Sequence, residues 1–376
     1  MRTASPESWM ARALVLARRG LYSTDPNPRV GCVLVKNDQV VGEGWHQYAG
    51  EPHAEINALR HAGEAARDAT AFVTLEPCSH QGRTGPCSQA LIEAGVARVV
   101  VAMQDPNPLV AGRGIAMLEA AGIEVDVGLL EAQARALNPG FISRMERKRP
   151  FVRLKMAMSI DGRTAMASGE SQWITGPAAR TEVQRLRARS SAIMTGVESI
   201  IFDNSRLTVR PEQLNLDRDE TINLHQPLRV VVDSHVRLPL AAACLREPGR
   251  TLIATCSNDN ARREARERAG AEVVVLACEG KGRVDLKALL EYLARNESCN
   301  EVLLETGATL AGAMLDAELI DEMHLFVAPI LLGGEARPLF ALPGMERMAQ
   351  QRTLQIDDIR AIGQDWRIIA RPEHRD

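Results

Sequence analysis

His53, Glu55, Cys78 and Cys87 are the residues whose types and spacing could do chemistry. His53 and Glu55 open a predicted helix in Pro52-His53-Ala54-Glu55, Pro77-Cys78 ends a predicted strand, and Cys87 opens the next helix. A catalytic zinc takes three protein ligands and leaves a fourth position for water. His53, Cys78 and Cys87 supply that count, and a nearby helix N-terminus favours the thiolate form of cysteine. Two thiolates and a neutral imidazole balance the dipositive charge, yet the metal still lowers the pKa of its water toward neutrality. Glu55 is then a carboxylate outside the ligand set, able to carry a proton. Residues i and i+2 do not share a helix face, so His53 and Glu55 must converge from an irregular first turn. The alternative is a closed structural zinc site, with His46 or His80 as fourth ligand.

The elements around these residues alternate. Ser5-Pro6 caps a helix that stops at Gly20. The runs VGCVLV (30–35) and QVVGEGW (39–45) read as a hairpin joined by Lys36-Asn37-Asp38. Helix 53–63, strand 70–75, helix 87–95, strand 98–103, helix 115–121 and strand 123–127 follow. Such alternation argues for an α/β sandwich. The charged cluster RMERKR (144–149) reads as a solvated linker, giving domains over 1–145 and 150–376. Beyond it FVRLKMAMSI, SAIMTGV, LRVVVD, TLIATC, AEVVVLA and EVLLE read as buried strands. Helices are expected over 178–189, 260–269, 285–295 and 310–315. The stretch 323–369 reads as strand-rich and closes the sheet antiparallel. The tetrapeptide DPNP occurs at 25–28 and 105–108, each a rigid turn presenting an Asn.

Length and composition bound the function. The 376 residues exceed one ordinary core and suit two domains. A net charge of −3 with 3% aromatic residues argues against a nucleic-acid partner. The longest charge-free run, Met323–Gly334, is too short for a membrane helix. The N-terminal apolar stretch is broken by Arg12, Arg18 and Arg19, which argues against a signal peptide and for a cytoplasmic protein. Seven cysteines without a secretion signal do not suggest a disulfide framework. Cys32, Cys244, Cys256, Cys278 and Cys299 read as buried or free thiols.

The arrangement H-x-E…P-C…C is the signature of zinc-dependent nucleobase deaminases. HAEINAL, TLEPCSHQGRTGPC and AGVARVVVAMQDPNPLVAGRG then resemble the deaminase half of the bifunctional riboflavin-biosynthesis deaminase/reductase family. LKMAMSIDGRTAMASGESQWIT, SRLTVR, VVDS and LLETGATLAGAML continue the likeness, which covers nearly the whole chain. The resemblance implies a cytidine-deaminase-like three-layer α/β domain followed by a dihydrofolate-reductase-like α/β domain. It implies one zinc in the first domain and NADPH in the second. The implied substrate is a phosphoribosyl pyrimidine, deaminated first and then reduced from ribosyl to ribityl. The family expectation is a homodimer through the reductase domain.

By the same resemblance, Glu55 shuttles protons, and Asn27, His46, His80, Asp105 and Asn107 line the deaminase pocket with Arg83 near the phosphate. NADPH contacts fall on Ala157, Trp173, Ser199, Asp203, Ser234 and on Gly307, Ala308, Thr309, Leu310, Ala311, Gly312 and Ala313. Reductase substrate contacts fall on Ser171, Arg187, Leu207, Arg210 and Glu305, with the two arginines as phosphate clamps. A glycine turn opening a helix after Val302–Glu305 also suits a phosphate, against the plainer reading of a tight turn. The chain departs from the family at Ala308, where Pro is common, and at Gly85-Pro86, where Pro-Pro is usual. Two other readings compete: a nucleic-acid base editor with the same metal signature, and a second domain that only binds nucleotide.

Overall fold

The computed structural model describes residues 5–79, 85–108, 110–216, 224–280 and 282–373. His80 and Arg83 lie outside the described residues. The chain divides between Lys148 and Arg149 into two units, each with its own apolar core.

The first unit runs α1 (Pro6–Arg18), β1 (Gly31–Lys36), β2 (Gln39–Trp45), α2 (Ala54–Ala62), β3 (Thr70–Val73) and α3 (Cys87–Glu93). It continues through β4 (Arg98–Val101), α4 (Arg113–Ala120), β5 (Glu124–Val127), α5 (Glu131–Leu137) and α6 (Pro139–Arg147). The sheet order is β2-β1-β3-β4-β5, with β1 antiparallel to both neighbours and β3, β4 and β5 parallel. Asn37 and Asp38, both at positive φ, make a two-residue hairpin turn. The apolar stretches of β3 and β4 are buried, as central parallel strands require. Gly44 decides where the chemistry sits. A Cβ there would collide with the Ala54 carbonyl and the Ala58 amide, so glycine lets the start of α2 lie directly on β2.

The expected linker is instead mostly helix. Arg144–Arg147 belong to α6, which ends at Lys148 in the left-handed region. Basic side chains in a last turn complement the helix dipole. They are also anchored here: Arg147 donates to Ser143 Oγ (2.7 Å) and Glu146 pairs with Arg135 (2.9 Å). Charge density alone does not distinguish such a helix end from a hinge.

The second unit runs β6 (Phe151–Ser159), β7 (Arg163–Ala165), α7 (Pro177–Ala188), β8 (Ala192–Gly196), α8 (Val197–Asp203) and β9 (Leu228–Val232). Then come β10 (Thr251–Thr255), α9 (Asn260–Arg268), β11 (Glu272–Val275), the short pair β12 (Cys278–Glu279) and β13 (Arg283–Val284), and α10 (Leu286–Arg295). The last elements are β14 (Glu301–Glu305), α11 (Ala308–Asp316), β15 (Glu322–Ala328), β16 (Arg337–Pro338), β17 (Leu354–Ile362) and β18 (Asp365–Pro372). The main sheet has the order β11-β10-β9-β8-β14-β6-β15-β18-β17. Strands β11 through β15 are parallel, and only β18 and β17 join antiparallel. Carboxyl ends of β9, β8 and β14 therefore lead, side by side, to Ser234, α8 and Gly307. That edge is where parallel sheets place ligands.

Candidate functional sites

His53 is the N-cap of α2, with extended backbone (φ −71°, ψ 168°). It is not helical, and this is how it meets the same cluster as Glu55 two residues later. Cys87 begins α3, and its backbone N–H donates to Cys78 Sγ (3.3 Å). Ser88 Oγ donates to the Cys78 carbonyl (2.8 Å), fixing the loop that carries the ligand. His53 Nδ1 lies 3.2 Å from Cys87 Sγ and 3.6 Å from Cys78 Sγ. The three donor atoms all lie within 4.8 Å of one another. Zinc bonds of about 2.3 Å to sulfur and 2.0–2.1 Å to nitrogen, at tetrahedral angles, separate N from S by about 3.6 Å. The donors therefore fit one tetrahedral ion.

The three donors are tightly coupled electrostatically. The Cys87 thiol beside it holds Cys78 well below the usual thiol range, while the proton shared with Cys78, together with burial, pushes Cys87 up. His53 is raised by its hydrogen bond to Cys78. Glu55 is buried beside Cys87, and burial pushes its carboxyl up to about 7. His46 does not join the ligands. Its Nδ1 donates to the Pro52 carbonyl (3.2 Å), so Nε2 accepts from Asn27 Nδ2 (3.0 Å). That closes the four-ligand alternative through His46.

Asp105 and Asn107 stand on the second DPNP turn, after β4. Asp105 is buried, and its Oδ1 accepts from the Asn107 N–H (2.8 Å). A residue not singled out from sequence controls this turn: Glu76, whose carboxylate accepts four backbone N–H groups, including that of Asp105. The only sequence signal was an acidic residue in a stretch otherwise buried.

In the second unit, Ser171 Oγ donates to Asp203 Oδ1 (3.2 Å) beside the exposed Trp173, over which Arg180 stacks. Ser234 Oγ accepts from the Val284 N–H (3.0 Å), and Ser199 lies on α8. Ala157 pairs with Phe326 across β6 and β15. Gly307 is the N-cap of α11 in extended backbone, with open space where a Cβ would project. The stretch to Ala313 does not all face that space. Ala311 is buried in the core, and a Cβ on the buried Gly312 would strike the Ala341 carbonyl, so both are packing positions.

Arg187, expected as a phosphate clamp, is engaged within the protein. Its Nε and Nη2 donate to the two Glu305 oxygens (2.6 and 2.9 Å), and Nη1 donates to the Thr208 carbonyl (2.8 Å). The carboxylate at the end of β14 thus binds the α7 guanidinium in a bidentate pair. Leu207 is a core side chain at positive φ. Arg210 keeps its backbone N–H on Gln184 (2.9 Å), and its guanidinium forms no ion pair with a described residue. Lys155 was missed. It sits on β6 opposite Glu305; burial lowers its pKa, Glu305 opposes that shift and Arg187 adds to it. Burial pushes Glu305 up, but Arg187 and Lys155 outweigh it and hold the carboxyl below its ordinary range. A lysine inside an otherwise buried parallel strand was the available signal.

Site and fold together define a zinc-dependent deaminase followed by a reductase. Residues 3–103 match the cytidine and deoxycytidylate deaminase zinc-binding region, and residues 150–368 match the RibD C-terminal domain. The chain belongs to the RibD family of riboflavin-biosynthesis proteins. It is 50% identical to riboflavin biosynthesis protein RibD of Escherichia coli over 362 residues, covering 96% of this chain and 97% of that protein. Identity to the Haemophilus influenzae protein is 47% over 374 residues, covering 97% of each. Among solved structures, Acinetobacter baumannii RibD superposes with a TM-score of 0.90 at 48% identity, covering 98% of this chain and 99% of that one. The Thermotoga maritima diaminohydroxyphosphoribosylaminopyrimidine deaminase/5-amino-6-(5-phosphoribosylamino)uracil reductase superposes at 0.84 with 30% identity, covering 97% and 98%. The chain is thus a bifunctional deaminase and reductase of riboflavin biosynthesis, its second unit dihydrofolate-reductase-like, with zinc and NADPH as cofactors. No helix among the described residues is long and apolar enough to cross a membrane.

Proposed function

We propose that the first unit deaminates 2,5-diamino-6-(5-phosphoribosylamino)pyrimidin-4-one, and that the second reduces the ribosyl group of the product to ribityl. The observation carrying the first step is a three-donor cluster with Glu55 buried beside it and outside it. Zinc held by His53, Cys78 and Cys87 supplies Lewis-acid activation of water. Glu55 takes the proton of the attacking water and passes it to the amino group, which departs as ammonia. Asn27, oriented by His46, and the Asp105–Asn107 turn hold the pyrimidine. His80 and Arg83 complete the pocket by family resemblance.

In the second unit bound NADPH would supply the hydride for C1′ of the ribosyl group, where the C1′–O4′ ring bond opens and O4′ takes up a proton. Ala157, Trp173, Ser199, Asp203, Ser234 and Gly307–Leu310 seat the cofactor. Glu305, fixed by Arg187 and flanked by Lys155, faces the reacting end together with Ser171, and Arg210 meets the phosphate. The edge strand β17 exposes Leu354, Ile356 and Ile359, with Trp366 exposed on β18. This supports a homodimer through the second unit, since an apolar unpaired edge invites pairing. Sedimentation of the 41.1 kDa chain as a monomer at working concentration would sink the dimer. A cytoplasmic site of action fits a metabolic enzyme of this family. The test of function is metal content with ammonia release from the diaminopyrimidinone, then NADPH oxidation with the deaminated product. A zinc-loaded protein that releases no ammonia would overturn the deaminase assignment.

A further inference from the structure

Glu76 lies between the end of β3 and the ligand-bearing Pro77-Cys78. It is 3% exposed, and its own N–H donates to the Met103 carbonyl (3.0 Å) at the end of β4. Its Oε2 accepts from Asp105 N (3.1 Å) and Gly112 N (3.0 Å), and its Oε1 accepts from Gly114 N (2.9 Å) and Ile115 N (3.3 Å). One carboxylate thus ties down both ends of the segment from Asp105 to the start of α4. A carboxylate is the side chain with enough acceptor sites for four donors and none of its own to clash.

The helix cannot do this for itself. The N-cap of α4 is Gly112, in the left-handed region at φ +77°, with no side chain to accept its first amides. The next turn must also sit close: a Cβ on Gly114 would collide with the Pro77 carbonyl. The cap therefore comes from another element, two residues before a zinc ligand. Within the segment, Asp105 Oδ1 holds Asn107 N (2.8 Å), and the Asn107 carbonyl accepts from Val110 N (2.8 Å) and Ala111 N (2.9 Å). The position of Asn107 is thus inherited from Asp105, and that of Asp105 from Glu76.

We infer that Glu76 is a positioning residue for the deaminase, setting the distance between the metal centre and the pyrimidine-binding turn. It touches no reacting atom. This rests on the reading of Asp105 and Asn107 as pocket residues. In Glu76→Gln an amide NH2 replaces one oxygen, so two backbone donors face a donor and lose their acceptor. The turn should move while the ligands, which bond elsewhere, keep the metal.

The experiment uses the full chain loaded with zinc, measuring zinc content, ammonia-release kinetics and melting temperature. Glu76→Gln should keep one zinc per chain and raise KM for the aminopyrimidine about tenfold or more, with kcat changed less. Asn107→Ala alone should raise KM, and Glu76→Gln added to it should raise KM by less than it does alone, because both act through one turn. Glu76→Asp should fall between wild type and the amide. A normal KM in zinc-loaded Glu76→Gln, even with a lower melting temperature, overturns the inference and leaves Glu76 a stability residue. Full additivity with Asn107→Ala overturns it as well. An unchanged KM in Asn107→Ala alone instead defeats the pocket reading. If Glu76→Gln fails to hold zinc, Glu76→Asp is read in its place. Loss of zinc in both overturns a role confined to the turn.

Discussion

Glu55 illustrates what a single position owes to its surroundings. The second residue of α2 would ordinarily be a solvated helix-dipole carboxylate, but α2 lies on Gly42 and Gly44 of β2 and buries it. Burial favours its neutral form, suiting a group that must both accept and return a proton. Glu55→Gln should therefore keep zinc and lose ammonia release by about 10²–10⁴-fold. Near-normal release by the zinc-loaded variant would remove the proton-shuttle role. Arg210 is the second residue-scale test, now separated from Arg187 by their partners. Arg210→Ala should raise the reductase KM for the phosphorylated pyrimidine, by about 1.5–3 kcal/mol for a charged hydrogen bond, with NADPH affinity little changed. An unchanged KM would return Arg210 to the surface charges. Sequence distinguished the metal donors because ligand type and spacing are local properties. It could not distinguish Arg187 from Arg210, because the difference lies in Glu305, 118 residues from Arg187.

At the scale of elements, most strands and helices were legible because their apolar runs are long and bounded by glycine or proline. The misses share a cause. Helix α8 follows β8 directly, so GVESIIFD reads as a continuation of an apolar strand until the helix cap is seen. α5 and α6 are charged helices near the expected linker. Position β15, too, is parallel to β6, so the antiparallel closure involves only the last hairpin. Buried charges on β6, β14 and β15 were likewise hidden within runs read as apolar. Arg153 pairs with Glu301 and with Glu322 (2.5 Å), and Glu322 also pairs with His324 Nε2 (2.7 Å). Burial pushes Glu322 up, but His324 and Arg153 outweigh it and hold it at about 2. Burial holds His324 below its ordinary value of 6.5. Both folded values are depressed, so their contributions are present above the unfolded values, 4.5 and 6.5, and are lost as pH falls through the folded ones. Glu322→Gln should cost about 2–3 kcal/mol at pH 7, by denaturant unfolding of the full chain. The gap to wild type should narrow as pH drops from about 5 toward 3. A gap independent of pH would mean that Glu322 does not carry the charge assigned to it.

At the scale of the molecule, the chain holds two cores, and the residues assigned to each reaction fall wholly within one unit. Deaminase residues run from Asn27 to Asn107, and reductase residues from Lys155 to Leu310. A domain with its own core is expected to keep its site when its neighbour is damaged. Cys87→Ala tests this. Two donors, His53 and Cys78, cannot fix a tetrahedral ion, so the metal should be lost or weakly held, and deamination should vanish. The same protein, given the already deaminated pyrimidine, should still oxidise NADPH at a rate within a few-fold of wild type. Tight zinc binding and normal deamination by the variant without added zinc would show that the ligand count was misjudged. Parallel loss of both activities in a protein that remains folded and soluble would defeat two independent sites, because no reductase residue named here lies before Arg149.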